Sequence, residues 1–159
     1  MPVPSANRVF MRLLAGLGLC FFSLRLLAAT PDDWLVRPWQ NDDGLPDNSV
    51  NGVAQTADGY LWVGTPTGLA RFDGLRFEGF SLTNVVAPPN RGVVTMMRGA
   101  KGSLWLAMDR GGVVKLDGTR SRAFTDDLPK LIPNGLAEDA AGGIWIAYRG
   151  GKVFYIKNT

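Results

Sequence analysis

Histidine is absent from this chain of 159 residues, and cysteine occurs once, at Cys20. Without histidine there is no His-based metal site, no Ser–His or Cys–His nucleophile pair and no imidazole base. Cys20 sits in an N-terminal apolar run, so everything after it lacks disulfide and thiolate chemistry. Sustained helical periodicity is also missing after residue 30. Such a chain must hold itself together by packing and by sheet hydrogen bonds.

The N-terminus has an organisation of its own. Arg8 and Arg12 flank the start of Leu13-Leu-Ala-Gly-Leu-Gly-Leu-Cys-Phe-Phe22, and the apolar run continues through Leu24, Leu26 and Leu27. Ala28 and Ala29 follow, just before the polar Thr30-Pro-Asp-Asp. A basic region, an apolar region and a small-residue cleavage point predict a secretory signal peptide over residues 1–29, cut after Ala28 or Ala29. Arg25 interrupts a stretch already short for a membrane span. The expected location is therefore exported and periplasmic. The formal charge of +3 belongs to that segment, which holds Arg8, Arg12 and Arg25 and no acid; the remainder balances to zero. Nothing in the charge points to a nucleic-acid partner.

The remaining sequence repeats. Asp58-Gly-Tyr-Leu-Trp-Val-Gly64 precedes Gly68-Leu-Ala-Arg-Phe-Asp-Gly74; Lys101-Gly-Ser-Leu-Trp-Leu-Ala107 precedes Gly112-Val-Val-Lys-Leu-Asp-Gly118; Ala141-Gly-Gly-Ile-Trp-Ile-Ala147 precedes Gly151-Lys-Val-Phe-Tyr-Ile156. The tryptophans Trp62, Trp105 and Trp145 stand 43 and 40 positions apart, the period of a four-stranded propeller blade. Residues 30–159 are thus expected to be all-β: a partial β-propeller of about three four-stranded antiparallel blades. The expected blades are 49–80, 92–124 and 134–157, with 34–39 a spare outer strand. Three blades fall short of the about 4–8 that encircle an axis, so an open arc, or a fragment of a larger propeller, is expected. Trp62, Trp105 and Trp145 are read as blade core on a strand covered on both faces. Gly64, Ala107 and Ala147, two places on, leave room for a neighbouring sheet. Gly68, Gly112 and Gly151 mark hairpin turns, and Asp73-Gly74 and Asp117-Gly118 predict type I′ turns.

The run Trp39-Gln-Asn-Asp-Asp-Gly-Leu-Pro-Asp-Asn-Ser-Val50, followed by Asp58–Thr65 and Gly68–Gly74, resembles the two-component regulator propeller repeat. The resemblance covers residues 39–80 and continues through 92–156 with decay, since Lys101 and Ala141 replace the turn aspartate Asp58. It implies the exported ligand-sensing region of a large bacterial sensor. In the intact relative the partners would be the remaining blades and a membrane-anchored output domain, often a histidine kinase or diguanylate cyclase. The ligand would be an unidentified small molecule or oligosaccharide. Kinase activity is not implied for this chain, which has no histidine to phosphorylate and no nucleotide-binding motif.

Candidate ligand-binding residues are Arg110 and Arg149, which lie in the turns after the second and third tryptophan strands at offsets matching within one residue. Loops at one end of a propeller gather over the ring, where an anionic ligand could bind; ordinary exposed arginines are the alternative. The tryptophans could instead stack sugars, but repetition at blade period points to core. Asp58, Asp73 and Asp117 fit turns better than metal ligands, and Asp42, Asp43, Asp47, Asp126 and Asp127 lack calcium-loop spacing. No catalytic residue, metal or cofactor is assigned. Two function classes remain: a non-enzymatic sensor module in truncated form, and an exported propeller enzyme of the streptogramin-lyase or hydrolase type. A lyase of that type would be expected to use histidine with a metal.

Overall fold

The computed structural model describes residues 34–86, 92–118 and 120–157; the expected signal peptide over 1–29 lies outside them. The chain divides into two units, Met1–Arg37 and Pro38–Thr159. In the first, Trp34, Leu35 and Val36 are 90%, 93% and 89% exposed. The spare outer strand anticipated at 34–39 is not formed, because an extended segment becomes a strand only where a sheet edge takes up its hydrogen bonds.

The second unit opens with a short 3-10 turn, Asn41–Asp43, and continues as strands. Blade 1 is β1 (Gly52–Gln55), β2 (Leu61–Thr65), β3 (Gly68–Phe72) and β4 (Phe77–Phe80). Blade 2 is β5 (Val93–Arg98), β6 (Leu104–Met108), β7 (Val113–Asp117) and β8 (Arg120–Phe124). Blade 3 is β9 (Pro133–Glu138), β10 (Ile144–Tyr148) and β11 (Lys152–Ile156). Each sheet is antiparallel and ordered as its sequence runs, with four, four and three strands. The first strands lie against one another from blade to blade, β1 against β5 and β5 against β9, so they are the innermost.

The tryptophan strand works by period-two alternation. Trp62 packs with Val93, Leu104 and Leu106 of blade 2, and Trp105 packs with Ile144, Ile146 and Tyr148 of blade 3. Each tryptophan therefore faces the next blade, while its two strand neighbours face the previous one. Trp62 and Trp105 are 4% and 6% exposed. Trp145, read from sequence as core, is 46% exposed, because no further sheet covers its side of blade 3. The opposite end of the unit is covered: Leu45 and Trp39 pack on Val63, Ala70, Phe72 and Phe77 of blade 1.

Two turn assignments change. At Asp73-Gly74 only Gly74 has positive φ, at 103°, whereas a type I′ turn needs positive φ at both central residues. Asp73 is instead the last paired residue, its N–H donating to the Arg76 carbonyl at 3.3 Å. Its carboxylate accepts the N–H groups of Leu75 and Arg76 at 2.8 and 3.0 Å, and these hold its pKa below the usual carboxylate value. Asp117 likewise pairs with Arg120. Gly68 is not a turn residue but the first of β3, paired with Thr65.

A feature not read from sequence fixes the tryptophan rings. Six residues before each stands Thr56, Gly99 or Asp139. Thr56 Oγ1 accepts the Trp62 indole N–H at 2.9 Å, and Asp139 Oδ2 accepts that of Trp145 at 3.3 Å. Gly99 offers no side chain, and a Cβ there would lie 3.1 Å from Trp105 Nε1.

Candidate functional site

Because strands alternate in direction, the β2–β3, β6–β7 and β10–β11 turns share one end of the blades with the connections that enter each new blade. The β6–β7 turn closes with the Gly111 N–H donating to the Met108 carbonyl at 3.1 Å, which leaves Asp109 and Arg110 at its corners. It is held from two sides. The Asp109 N–H donates to the Gly92 carbonyl at 2.9 Å. On the other side the turn backbone meets the connection into blade 3, where a Cβ on Gly111 would lie 2.6 Å from the Pro129 carbonyl oxygen and 2.9 Å from Lys130 Cα.

That contact leaves a groove of about 550 Å³ beside the turn, lined by Asp109, Arg110, Thr125, Leu128, Pro129 and Lys130 together with Gly111 and Gly112. Two cations, one carboxylate and a hydroxyl converge on it above the apolar Leu128. Asp109 Oδ1 is buried and has no hydrogen-bond partner among the described residues. A buried polar atom without a partner carries a free-energy cost of about 1–3 kcal/mol, which a bound donor would relieve.

Arg110 lines this groove, and Arg149 does not. Arg149 follows Tyr148 directly, so it matches Asp109 in the repeat, and its N–H donates to the Ile132 carbonyl at 3.2 Å. The two arginines share an end of the fold but not a pocket. Lys130, Thr125 and Asp109 were not singled out from sequence. Their only local signal is a position beside Pro129 or next to Arg110, and long-range approach of the two loops brings them together.

The acidic loop residues have turn roles. Asp43 accepts the Gln40 N–H at 2.9 Å, Asp47 that of Ser49 at 2.7 Å, and Asp126 the Thr125 hydroxyl at 3.2 Å. In blade 3 Asp139 accepts the N–H groups of Gly143 and Ala141 at 2.8 and 2.9 Å; the Gly143 bond is the main cause that lowers its pKa. Burial, followed by the neighbouring Asp139, raises the Tyr155 phenol. The Tyr148 hydroxyl is buried without a partner among the described residues, and desolvation raises it. No helix among the described residues is long and apolar enough to cross a membrane.

Residues 44–67 match the family described as two component regulator propeller. Among curated proteins none matches this chain. Among solved structures, the extracellular domain of a hybrid two component system protein from B. thetaiotaomicron is similar at TM-score 0.59 and 22% identity. That match covers 70% of this chain and 16% of the other. A catalytically inactive virginiamycin B lyase from Staphylococcus aureus, with quinupristin, is similar at TM-score 0.58 and 15% identity, over 79% of this chain and 46% of that one. A streptogramin B lyase gives 0.52 and 18%, over 72% and 42%. The chain thus spans less than half the length of each of these relatives, and at such identities the likeness is one of fold. With the glycine-to-threonine stretch of its first blade matched in sequence and its three sheets matched in fold, the chain is identified as a two-component regulator propeller protein.

Proposed function

We propose that this chain is a non-enzymatic, exported ligand-sensing module of a bacterial signalling protein, and that it binds an anionic small molecule or acidic oligosaccharide in the groove at Arg110. The single observation that carries the proposal is the clamped β6–β7 turn. It presents Arg110 beside Lys130 over a groove of about 550 Å³, at the end of the blades where loops gather. Arginine offers a planar fork suited to carboxylate or phosphate, and lysine adds a point charge. A ligand held by both the turn and the connection into blade 3 would bias how those two blades pack, which is the kind of signal a downstream domain can receive.

Likeness in fold to the streptogramin lyases favours a second reading, an exported lyase. The absence of histidine from the sequence weighs against it. Titration calorimetry of the full chain with inorganic phosphate and with a uronic-acid trisaccharide separates the readings. Saturable binding of at least one probe, weakened tenfold or more by Arg110→Ala with an unchanged circular dichroism spectrum, is expected. Binding of neither probe, or binding indifferent to Arg110→Ala, overturns the site; turnover of a streptogramin by the full chain overturns the non-enzymatic reading.

A further inference from the structure

Blade 3 ends in β11, and its outer edge is open, whereas β3 and β7 are each covered by a fourth strand. The edge reads Lys152-Val-Phe-Tyr-Ile156, rich in β-branched and aromatic residues, a template for pairing with another strand. Blades 1 and 2 show what the fourth strand contributes. Phe80 lies opposite Leu69 and meets the Trp62 ring at 5.0 Å; Phe124 lies opposite Val113 and meets the Trp105 ring at 5.6 Å. In blade 3 the corresponding position is opposite Val153. There Trp145, Val153 and Tyr155 stand 46%, 61% and 43% exposed, forming an apolar face of a kind that terminal repeats ordinarily replace with polar residues.

The chain carries one more aromatic with the right sequel. Phe124 is followed by Thr-Asp-Asp-Leu128-Pro129, and Trp39 by Gln-Asn-Asp-Asp-Gly-Leu45-Pro46. Phe124 and Leu128 pack toward Phe154 and Ile156 of the following blade, as Trp39 and Leu45 pack toward Phe72 and Phe77 of blade 1. Trp39 therefore stands where the last aromatic of an outer strand stands, belonging to a blade that precedes blade 1. We propose that this blade is blade 3 of a second copy, which takes residues 34–39 as its fourth strand.

The register follows from the other blades. Trp39 falls opposite Val153, Pro38 opposite Phe154, Arg37 opposite Tyr155 and Val36 opposite Ile156. Pro38 occupies the place of Gly79 and Ala123. Counting from the hydrogen-bonded Asp73–Arg76 pair in blade 1, that place is a non-hydrogen-bonded one, whose N–H points away from the sheet. A proline is harmless there. Reciprocal exchange between two copies gives six blades, within the about 4–8 that close a ring. The exchange of an identical element satisfies both copies at once.

The full chain, with Cys20→Ser, is tested by light scattering and native mass spectrometry. A mass twice that of one chain is expected, falling twofold in Arg37→Pro, which removes a pairing N–H from a segment outside every blade. Arg37→Cys with Tyr155→Cys is expected to give a covalent dimer on a non-reducing gel. Three results overturn the proposal: a monomeric parent, a dimer that survives Arg37→Pro without the cross-link forming, or an open-ended series of sizes.

Discussion

Val93 fills the space that a side chain at Gly64 would need: a Cβ on Gly64 would lie 2.6 Å from Val93 Cγ1 and 3.1 Å from Met96 Sδ. Gly64 follows Trp62 by two places on the face turned toward blade 2, so the contact sets how closely the two blades approach. Val93 is fully buried and has no room to retreat. Gly64→Ala is expected to destabilise by about 1–3 kcal/mol through overpacking. Val93→Ala alone leaves a cavity, so the double variant should recover part of the sum. Urea unfolding of the four proteins checks this, and strictly additive effects would remove the blade-contact explanation.

The three tryptophans, alike in sequence, are expected to differ in energetic weight. Trp62→Ala and Trp105→Ala each remove a ring from between two sheets and should cost about 3–5 kcal/mol. Trp145→Ala, made with Arg37→Pro so that the chain is single, should cost clearly less because its ring is half solvated. Equal losses at all three in denaturant melts would contradict the open face of blade 3.

This contrast marks what the sequence could and could not show. The spacing of Trp62, Trp105 and Trp145 sufficed for the blades, because a strand apolar on both faces has to lie between sheets. Burial of Trp145 was not legible, since it depends on a neighbouring sheet rather than on the strand itself. The turn at Asp73-Gly74 was displaced by one residue, because Asp73 makes a backbone pair with Arg76 that a dipeptide pattern does not encode. Arg110 stood out by its place in the repeat. Its groove partners Thr125 and Lys130 did not, as only the approach of Pro129 to Gly111 joins the two loops.

Asp139 links acid stability to the exposed face of blade 3. Hydrogen bonds led by the Gly143 N–H depress its pKa in the folded chain. A carboxylate depressed on folding stabilises the native state above its unfolded value of about 3.9, and this contribution is lost as pH falls through the lower folded value. Because Asp139 also accepts the Trp145 indole N–H, the loss should be visible as a change in Trp145 emission below about pH 4. Asp139→Asn is expected to flatten that acid transition in thermal melts followed by fluorescence between about pH 2 and 6. A parallel fall of parent and variant across this range would assign the acid sensitivity to other groups.

Gly111 and Gly151 occupy the same place in successive blades, at φ 86° and 85°, and separate backbone strain from groove shape. Nothing lies within 4 Å of a Cβ on Gly151, whereas one on Gly111 would sit 2.6 Å from the Pro129 carbonyl oxygen. Gly151→Ala should therefore carry only the left-handed backbone cost of about 1–2 kcal/mol. Gly111→Ala adds displacement of the turn from the blade 3 connection, moving Arg110 away from Lys130. It is expected to destabilise more than Gly151→Ala and, unlike it, to weaken phosphate or uronate binding severalfold in calorimetry. Equal binding by the two variants would show that contact between the turn and Pro129 does not shape the site.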